Sequence, residues 1–218
     1  MDRPISLFVD VPFCSFRPFL AREYQESFRF PPPSTVYGML LSLVGIEWGE
    51  KAIFQGIRLC LAIQGEPSIN RVLRKFRRVP QQGEKDELAE RRPDYQDVIS
   101  GLKLWIWLDD YKAKQSLSDY VLQALSVDKR KTISRYGGLC LGESSNLINE
   151  IRIDEPEGSG RYLVNDENGF LVLTTWVNHP REGKGRTVKK RFSVTEICPL
   201  EMPPREDRRW TYIASDDS

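Results

Sequence analysis

Residues 28–48 read FRFPPPSTVYGMLLSLVGIEW, from Phe28 to Trp48, and the fold turns on this stretch. Three successive prolines, Pro31 to Pro33, fix φ and remove N–H donors, so they hold the chain extended and end any strand before them. Ser34 or Thr35 is then placed to cap a helix. Val36, Met39, Leu40, Leu43 and Val44 follow at helical spacing, which predicts a buried helix. Gly38 is expected to let that helix approach a sheet closely, and Gly45 to end it. A helix start of this kind offers unbonded N–H groups to an anion such as a phosphate. The plainer reading is an N-cap on a core helix.

Working outward, Ile5–Val11 (ISLFVDV) is rich in β-formers and is expected to end at Pro12 as a first, central strand. From Phe13 to Phe30 the arginines Arg17, Arg22 and Arg29 alternate with Phe13, Phe16, Phe19, Tyr24 and Phe28. Arginine among aromatics suits a single-stranded nucleic acid, because bases stack on rings while guanidinium groups hold phosphate. Core packing is the competing use of each ring. After the Pro-led helix come a short amphipathic stretch, Glu50–Phe54, and a strand, Ile57–Ile63. Glu66–Ser100 then interrupts the pattern with the basic run RVLRKFRR, Pro80, Gly83, an acidic helical-looking piece and RRPDYQDVIS. Thirty-five residues are long for a connection inside a compact domain, and such excursions are usually functional.

Leu102–Leu108 (LKLWIWL) reads as a buried strand and Ser116–Leu125 as a capped amphipathic helix. Arg135–Ser145 (RYGGLCLGESS) carries three glycines, Gly137, Gly138 and Gly142, in eleven residues. They permit a tight turn or close approach to a ligand, but the loop matches neither the P-loop nor the dinucleotide spacing. A strand is expected over Leu147–Ile153, and an acidic loop at Asp154–Gly160 marks a boundary. Beyond it, Arg161–Val164, Phe170–Val177 and Thr187–Ile197 read as strands, with a basic turn at His179–Arg186. The tail from Pro199 reads as Pro-rich, polar and partly disordered. The order β, α, β, insertion, β, α, β predicts an α+β fold with the ferredoxin-like, RRM-like βαββαβ plan. This core spans residues 1–153, interrupted at 66–100, and 154–218 forms a β-rich extension.

Composition narrows the function. The chain has 218 residues, 40% hydrophobic and 29% charged, with a formal net charge of +1, as in a soluble globular protein. No apolar run reaches the roughly 18 residues of a membrane span. The N-terminus lacks the layout of a signal peptide, which places the protein in the cytoplasm. Cys14, Cys60, Cys140 and Cys198 stand far apart with no CxxC pair, so reduced thiols are expected rather than a metal site. Charge is segregated. Arg71, Arg74, Lys75, Arg77 and Arg78 fall within eight residues free of acid, and Lys129–Arg135 and Lys184–Arg191 hold further basic blocks. That pattern suits a polyanion on one face and protein partners on another.

Taken together, the first strand, the arginine-bearing loop, FPPPSTVYGMLLSLVG, the basic excursion before RPDYQDV and the YGGLCLGES loop resemble the CRISPR-associated Cas-five family, RAMP-type subunits of the type I Cascade complex. The resemblance covers nearly the whole chain, and its most specific piece is Pro31–Gly45. It implies a non-catalytic RNA-binding subunit, with no cofactor or metal, that caps the 5′ handle of the crRNA. It further implies contact with the backbone and large subunits, target DNA reached through the complex and, if transposon-associated, transposition proteins. The 66–100 insertion corresponds to the family's thumb, with Arg74, Lys75, Arg77 and Arg78 on the RNA backbone. The handle pocket draws on Arg17 and Arg22, on Ser34, Thr35, Tyr37 and Gly38, and on Arg135, Tyr136, Gly137, Gly138 and Gly142. Many relatives carry a basic residue after the glycine at 142; this chain carries Glu143.

Two other readings compete. A metal-independent endoribonuclease processing precursor crRNA needs a base for the 2′-OH and an acid for the leaving oxygen, for which His179 is the one histidine and Tyr37, Tyr136 or a lysine the substitutes. A protein-interaction module without RNA binding needs neither.

Overall fold

The computed structural model describes residues 3–18, 24–75, 94–135, 137–178 and 187–215. The strands are β1 (Ile5–Cys14), β2 (Tyr24–Gln25), β3 (Arg58–Gln64), β4 (Ser68–Lys75), β5 (Asp94–Asp109), β6 (Glu150–Ile153), β7 (Ser159–Asn165), β8 (Leu171–Trp176), β9 (Val188–Val194), β10 (Cys198–Pro199) and β11 (Trp210–Tyr212). The helices are α1 (Pro33–Leu43) and α2 (Leu117–Leu125), with 3-10 turns at Trp48–Phe54 and Arg130–Thr132. The result is a mixed α/β fold dominated by one sheet of order β6-β1-β5-β3-β7-β9-β8, antiparallel at each step. No described helix is long and apolar enough to cross a membrane, and all four cysteines are free.

Alternation along the central strands creates two apolar faces. Leu7, Val9, Leu59, Leu61, Leu104 and Ile106 point to the side where α1 and α2 pack through Val36, Leu40, Leu117 and Val121. Phe8, Cys60, Ala62, Trp105 and Trp107 point to the other side, beside Tyr162. Trp107 stacks on Tyr162 with centroids 5.5 Å apart. This second face is closed by Leu200 and Trp210 from the C-terminal residues. The tail expected to be partly disordered is therefore docked through residue 215, because its few apolar side chains are used on both sides of the sheet: Leu200 and Trp210 complete this face, while Ile213, fully buried, joins the helix-side core. Burial pushes the Tyr162 phenol up to about 12.

Several expectations change in detail. β1 continues past Pro12 to Cys14, since its ladder with β5 resumes at Phe13↔Ser100. RPDYQDV is not a separate piece: Asp94 starts a strand of 16 residues that runs on into LKLWIWL. Its first half pairs with β4 from Ser68↔Ser100 to Lys75↔Asp94, so Arg71 and Arg74 lie on a hairpin strand. The rest of the excursion, including Arg77, Arg78 and the acidic Glu84–Glu90, lies outside the described residues, as does the His179–Arg186 turn. β6 is shorter than expected, because Leu147 is diverted into a bridge with Cys140.

The Pro-led helix is capped differently from the sequence expectation. Pro32 is the N-cap and Pro33 the first helical residue, and neither Ser34 nor Thr35 caps it by a side chain. Proline suits that position, since its missing N–H would be unpaired there anyway. The other end follows expectation. Gly45 has φ +73°, its N–H bonds to Ser42 O at 3.2 Å, and the Ile46 N–H bonds to Leu41 O at 3.0 Å, a Schellman ending. A Cβ at Gly45 would stand 2.5 Å from Ser134 O. Gly38, expected against the sheet, faces open space.

Candidate nucleic-acid interface

The Pro-led entry aims the start of α1 at the surface. The N–H groups of Thr35 and Val36 both bond to Pro32 O, at 2.9 and 3.2 Å. Pro33 has no N–H, which leaves Ser34 as the first-turn donor without a helical partner. Around this helix start lie two adjoining clefts. The larger, 1020 Å³, takes Ser34, Thr35, Tyr37 and Gly38 from α1 together with Arg135 and Gly142. The smaller, 490 Å³, takes Thr35 and Gly142 again and adds Ser15, Arg17, Arg74 and Glu143. Thr35 and Gly142 thus form the ridge between them.

Eight of the sequence-predicted site residues meet here: Arg17, Ser34, Thr35, Tyr37, Gly38, Arg74, Arg135 and Gly142. Two do not. Gly137 borders neither cleft, and Gly138 is packed on Leu147, where a Cβ would fall 2.6 Å from Leu147 Cδ2. Arg22, Arg77, Arg78 and Tyr136 lie outside the described residues, as does the side chain of Lys75.

Each element is fixed for a physical reason. Gly142 has φ +97°, and a Cβ there would sit 2.5 Å from Ser15 O, so only glycine lets the loop touch the end of β1. Asn146 ties the same two segments: with its amide oxygen facing inward, it accepts from Glu143 N–H at 3.2 Å and Ser15 N–H at 3.0 Å. Arg74 donates to the Gln25 amide oxygen and stands 3.9 Å from Glu143, which also accepts from Gln96 Nε2 at 3.0 Å. On the opposite side of the hairpin, Arg71 lies 4.5 Å over the Tyr24 ring. The Tyr24 phenol, whose pKa is raised chiefly by its bond to Asp97, donates to Asp97 at 2.6 Å.

Among the described residues Arg17 and Arg135 are exposed and have no partner, so their charge is available to an anion. Tyr37 is different. Its ring is buried 5.9 Å from that of Trp176, its hydroxyl donates to Lys51 O, and burial holds its pKa well above the ordinary value. It shapes the cleft and is a poor proton carrier.

Sequence reading missed Ser15, Lys51 and Trp176. The Lys51 ammonium sits 5.2 Å over Trp176 and donates to Val177 O at 2.7 Å. No local signal marks these residues, since they reach the site only through packing of β8 and the Trp48–Phe54 turn on α1. Ser15 sits between Cys14 and the flagged Phe16–Arg17 pair, and its importance comes from the loop that lands on it.

No family model matches the chain. It is 34% identical over 185 residues to "CRISPR-associated protein Cas5" from Myxococcus xanthus (strain DK1622), covering 80% of this chain and 83% of that relative. Its structure is similar to a chain of a "CRISPR RNA-guided surveillance complex", with TM-score 0.58 and 13% identity over 94% of this chain and 96% of that one. A second solved structure, "Crystal structure of Cas protein", matches with TM-score 0.53 and 12% identity over 90% and 95% of the two chains. At those identities the two structures speak for the fold alone. The sequence relative, by its identity and coverage, goes further: the chain belongs to the CRISPR-associated Cas5 family.

Proposed function

We propose that this protein is a non-catalytic RNA-binding subunit of a type I Cascade complex, and that it holds the 5′ handle of the crRNA. The observation that carries the reading is the convergence of two exposed arginines without partners among the described residues, Arg17 and Arg135, and the helix start at Ser34 on adjoining clefts that share Thr35 and Gly142. A single strand has no groove to be read, so it is gripped by phosphate contacts and by bases splayed into pockets. Cations on the rims and recesses between them supply both.

Within this reading, the strand order β6-β1-β5-β3, with α1 after β1 and α2 after β5, is a ferredoxin-like RAMP core over residues 1–153. The β4–β5 hairpin is its thumb, and 154–218 are an extension laid on the same sheet. The backbone and large subunits of the complex are its protein partners, and target DNA is read by guide pairing elsewhere. Absence of catalysis is part of the proposal. Acid–base cleavage of RNA needs two positioned proton carriers, and Tyr37 is buried with its hydroxyl engaged by Lys51 O.

The test is incubation of the pure protein with labelled repeat RNA and EDTA, resolved on native and denaturing gels. A shifted, uncut RNA is expected. A single cut within the repeat would replace the proposal with an endoribonuclease. Neither a shift nor a cut, persisting when the protein is co-expressed with guide RNA and partner subunits, would leave the protein-interaction module.

A further inference from the structure

The smaller cleft holds a group that phosphate binding does not explain. Glu143 lies in its wall beside Arg17 and Arg74, and a carboxylate there repels the sugar–phosphate backbone. In a nucleic-acid site a carboxylate instead accepts hydrogen bonds from base N–H groups. Its Oε1 faces Gln96 Nε2 at 3.0 Å and Arg74 at 3.9 Å. Its Oε2 has no partner among the described residues, so acceptor capacity is left over. Ser15 also borders the cleft, and its hydroxyl is buried without a hydrogen-bond partner among the described residues. Buried hydroxyls are nearly always paired, and an orphan calls for an explanation. The Asn146 carboxamide bridges the backbone N–H groups of Ser15 and Glu143, which holds the two at a fixed separation. The cleft, at 490 Å³, has the size of a small-ligand pocket.

We propose that this cleft is a base-reading subsite for guanine in single-stranded RNA, with the Glu143 carboxylate as acceptor and the neighbouring Ser15 segment held in place behind it by Asn146. The inference rests on the RNA-binding reading above and assigns it a specificity. Guanine presents adjacent N1–H and N2–H donors that match the two oxygens of a carboxylate. Adenine and cytosine offer a single amino group, and uracil sets two carbonyls against the negative charge. Arg17 and Arg74 at the rim hold the flanking phosphates while the base turns inward.

The test measures binding of the full-length protein to fluorescein-labelled oligouridylate, to the same oligomer with one guanosine at each position in turn, and to its inosine, adenosine and cytidine counterparts. One guanosine position is expected to tighten binding about tenfold over oligouridylate, as one good bidentate base contact does. Inosine, which keeps N1–H and lacks the amino group, is expected to lose most of that gain. In Glu143→Gln the ratio of guanosine to uridine affinities is expected to fall toward one. The ratio is taken within one variant, so a general change in affinity does not enter it, and the inosine comparison needs no variant. Equal binding of all oligomers, a preference for another base, or a guanosine preference that survives Glu143→Gln overturns the guanine assignment while leaving the RNA grip intact. Failure to bind any RNA, alone or within the assembled complex, overturns both.

Discussion

Replacing Arg17, Arg74 and Arg135 together with glutamate is expected to weaken binding of repeat RNA by on the order of a hundredfold or more at about 0.1 M salt. Among the described residues Arg17 and Arg135 are exposed and partnerless, and the exposed Arg74 makes polar contacts with Gln25 and Glu143. Their reversal therefore removes positive charge from both clefts without opening the core. The salt dependence gives an independent reading. Each phosphate neutralised on a single strand contributes about 0.7 to the slope of log affinity against log salt, so losing three contacts should flatten it by about 2. Fluorescence anisotropy over a salt series measures both quantities. Circular dichroism and thermal melting of the triple variant should match those of the parent. A variant that keeps its affinity and slope would move the RNA off these clefts.

The largest expected effect on stability belongs to Arg58→Ala. Arg58 is a buried cation at the start of β3, and it does three things. It pairs with Asp109 directly across the β3–β5 ladder. It lies 4.0 Å over the Tyr111 ring and 5.0 Å over that of Trp210. Its Nη1 donates to Arg205 O at 2.6 Å. Removing it strands Asp109 in a nearly enclosed site and releases the C-terminal residues that close the second face of the sheet. Breaking one side of a buried pair costs about 3–5 kcal/mol, which in a domain of this size is a drop in Tm on the order of 10 °C. Arg58→Met with Asp109→Leu replaces the pair by apolar groups and should lose much less, since it leaves no unpaired charge. Limited proteolysis of Arg58→Ala should cut first after residue 200, where the released tail would be exposed. A loss under about 1 kcal/mol would mean that the tail is held by its apolar contacts alone.

Much of this is legible in the sequence. Helical spacing in Val36–Val44, the Gly45 stop, the Ser116 cap, whose side chain accepts from Asp119 N–H at 3.1 Å, and the apolar run LKLWIWL are local signals that tertiary packing did not override. The convergence of Arg17, the α1 start and Gly142 was reached through family resemblance, because no periodicity brings three distant segments together. What escaped was of two kinds. Polar context hid β-structure: Asp94–Ser100 looks like loop, yet it is half of a hairpin because β4 supplies its hydrogen-bond partners. The tail looks too polar and Pro-rich to order, yet Leu200 and Trp210 pack on one face of the sheet and Ile213 in the helix-side core, and Arg58 contacts it at Trp210 and Arg205 O. The other kind is a residue whose meaning depends on a distant neighbour. Ser15 and Glu143 are unremarkable alone and become a pair only when Gly142 lets one loop rest on the other.

The most direct test of the central claim is to co-express the tagged protein with a CRISPR array and candidate Cascade subunits, isolate the complex and sequence the RNA it holds. The account predicts guide RNAs sharing one repeat-derived 5′ end, retained by the parent protein and lost when Arg17, Arg74 and Arg135 are reversed. A complex that forms with this protein and holds its guide RNA equally well after the reversal would contradict it.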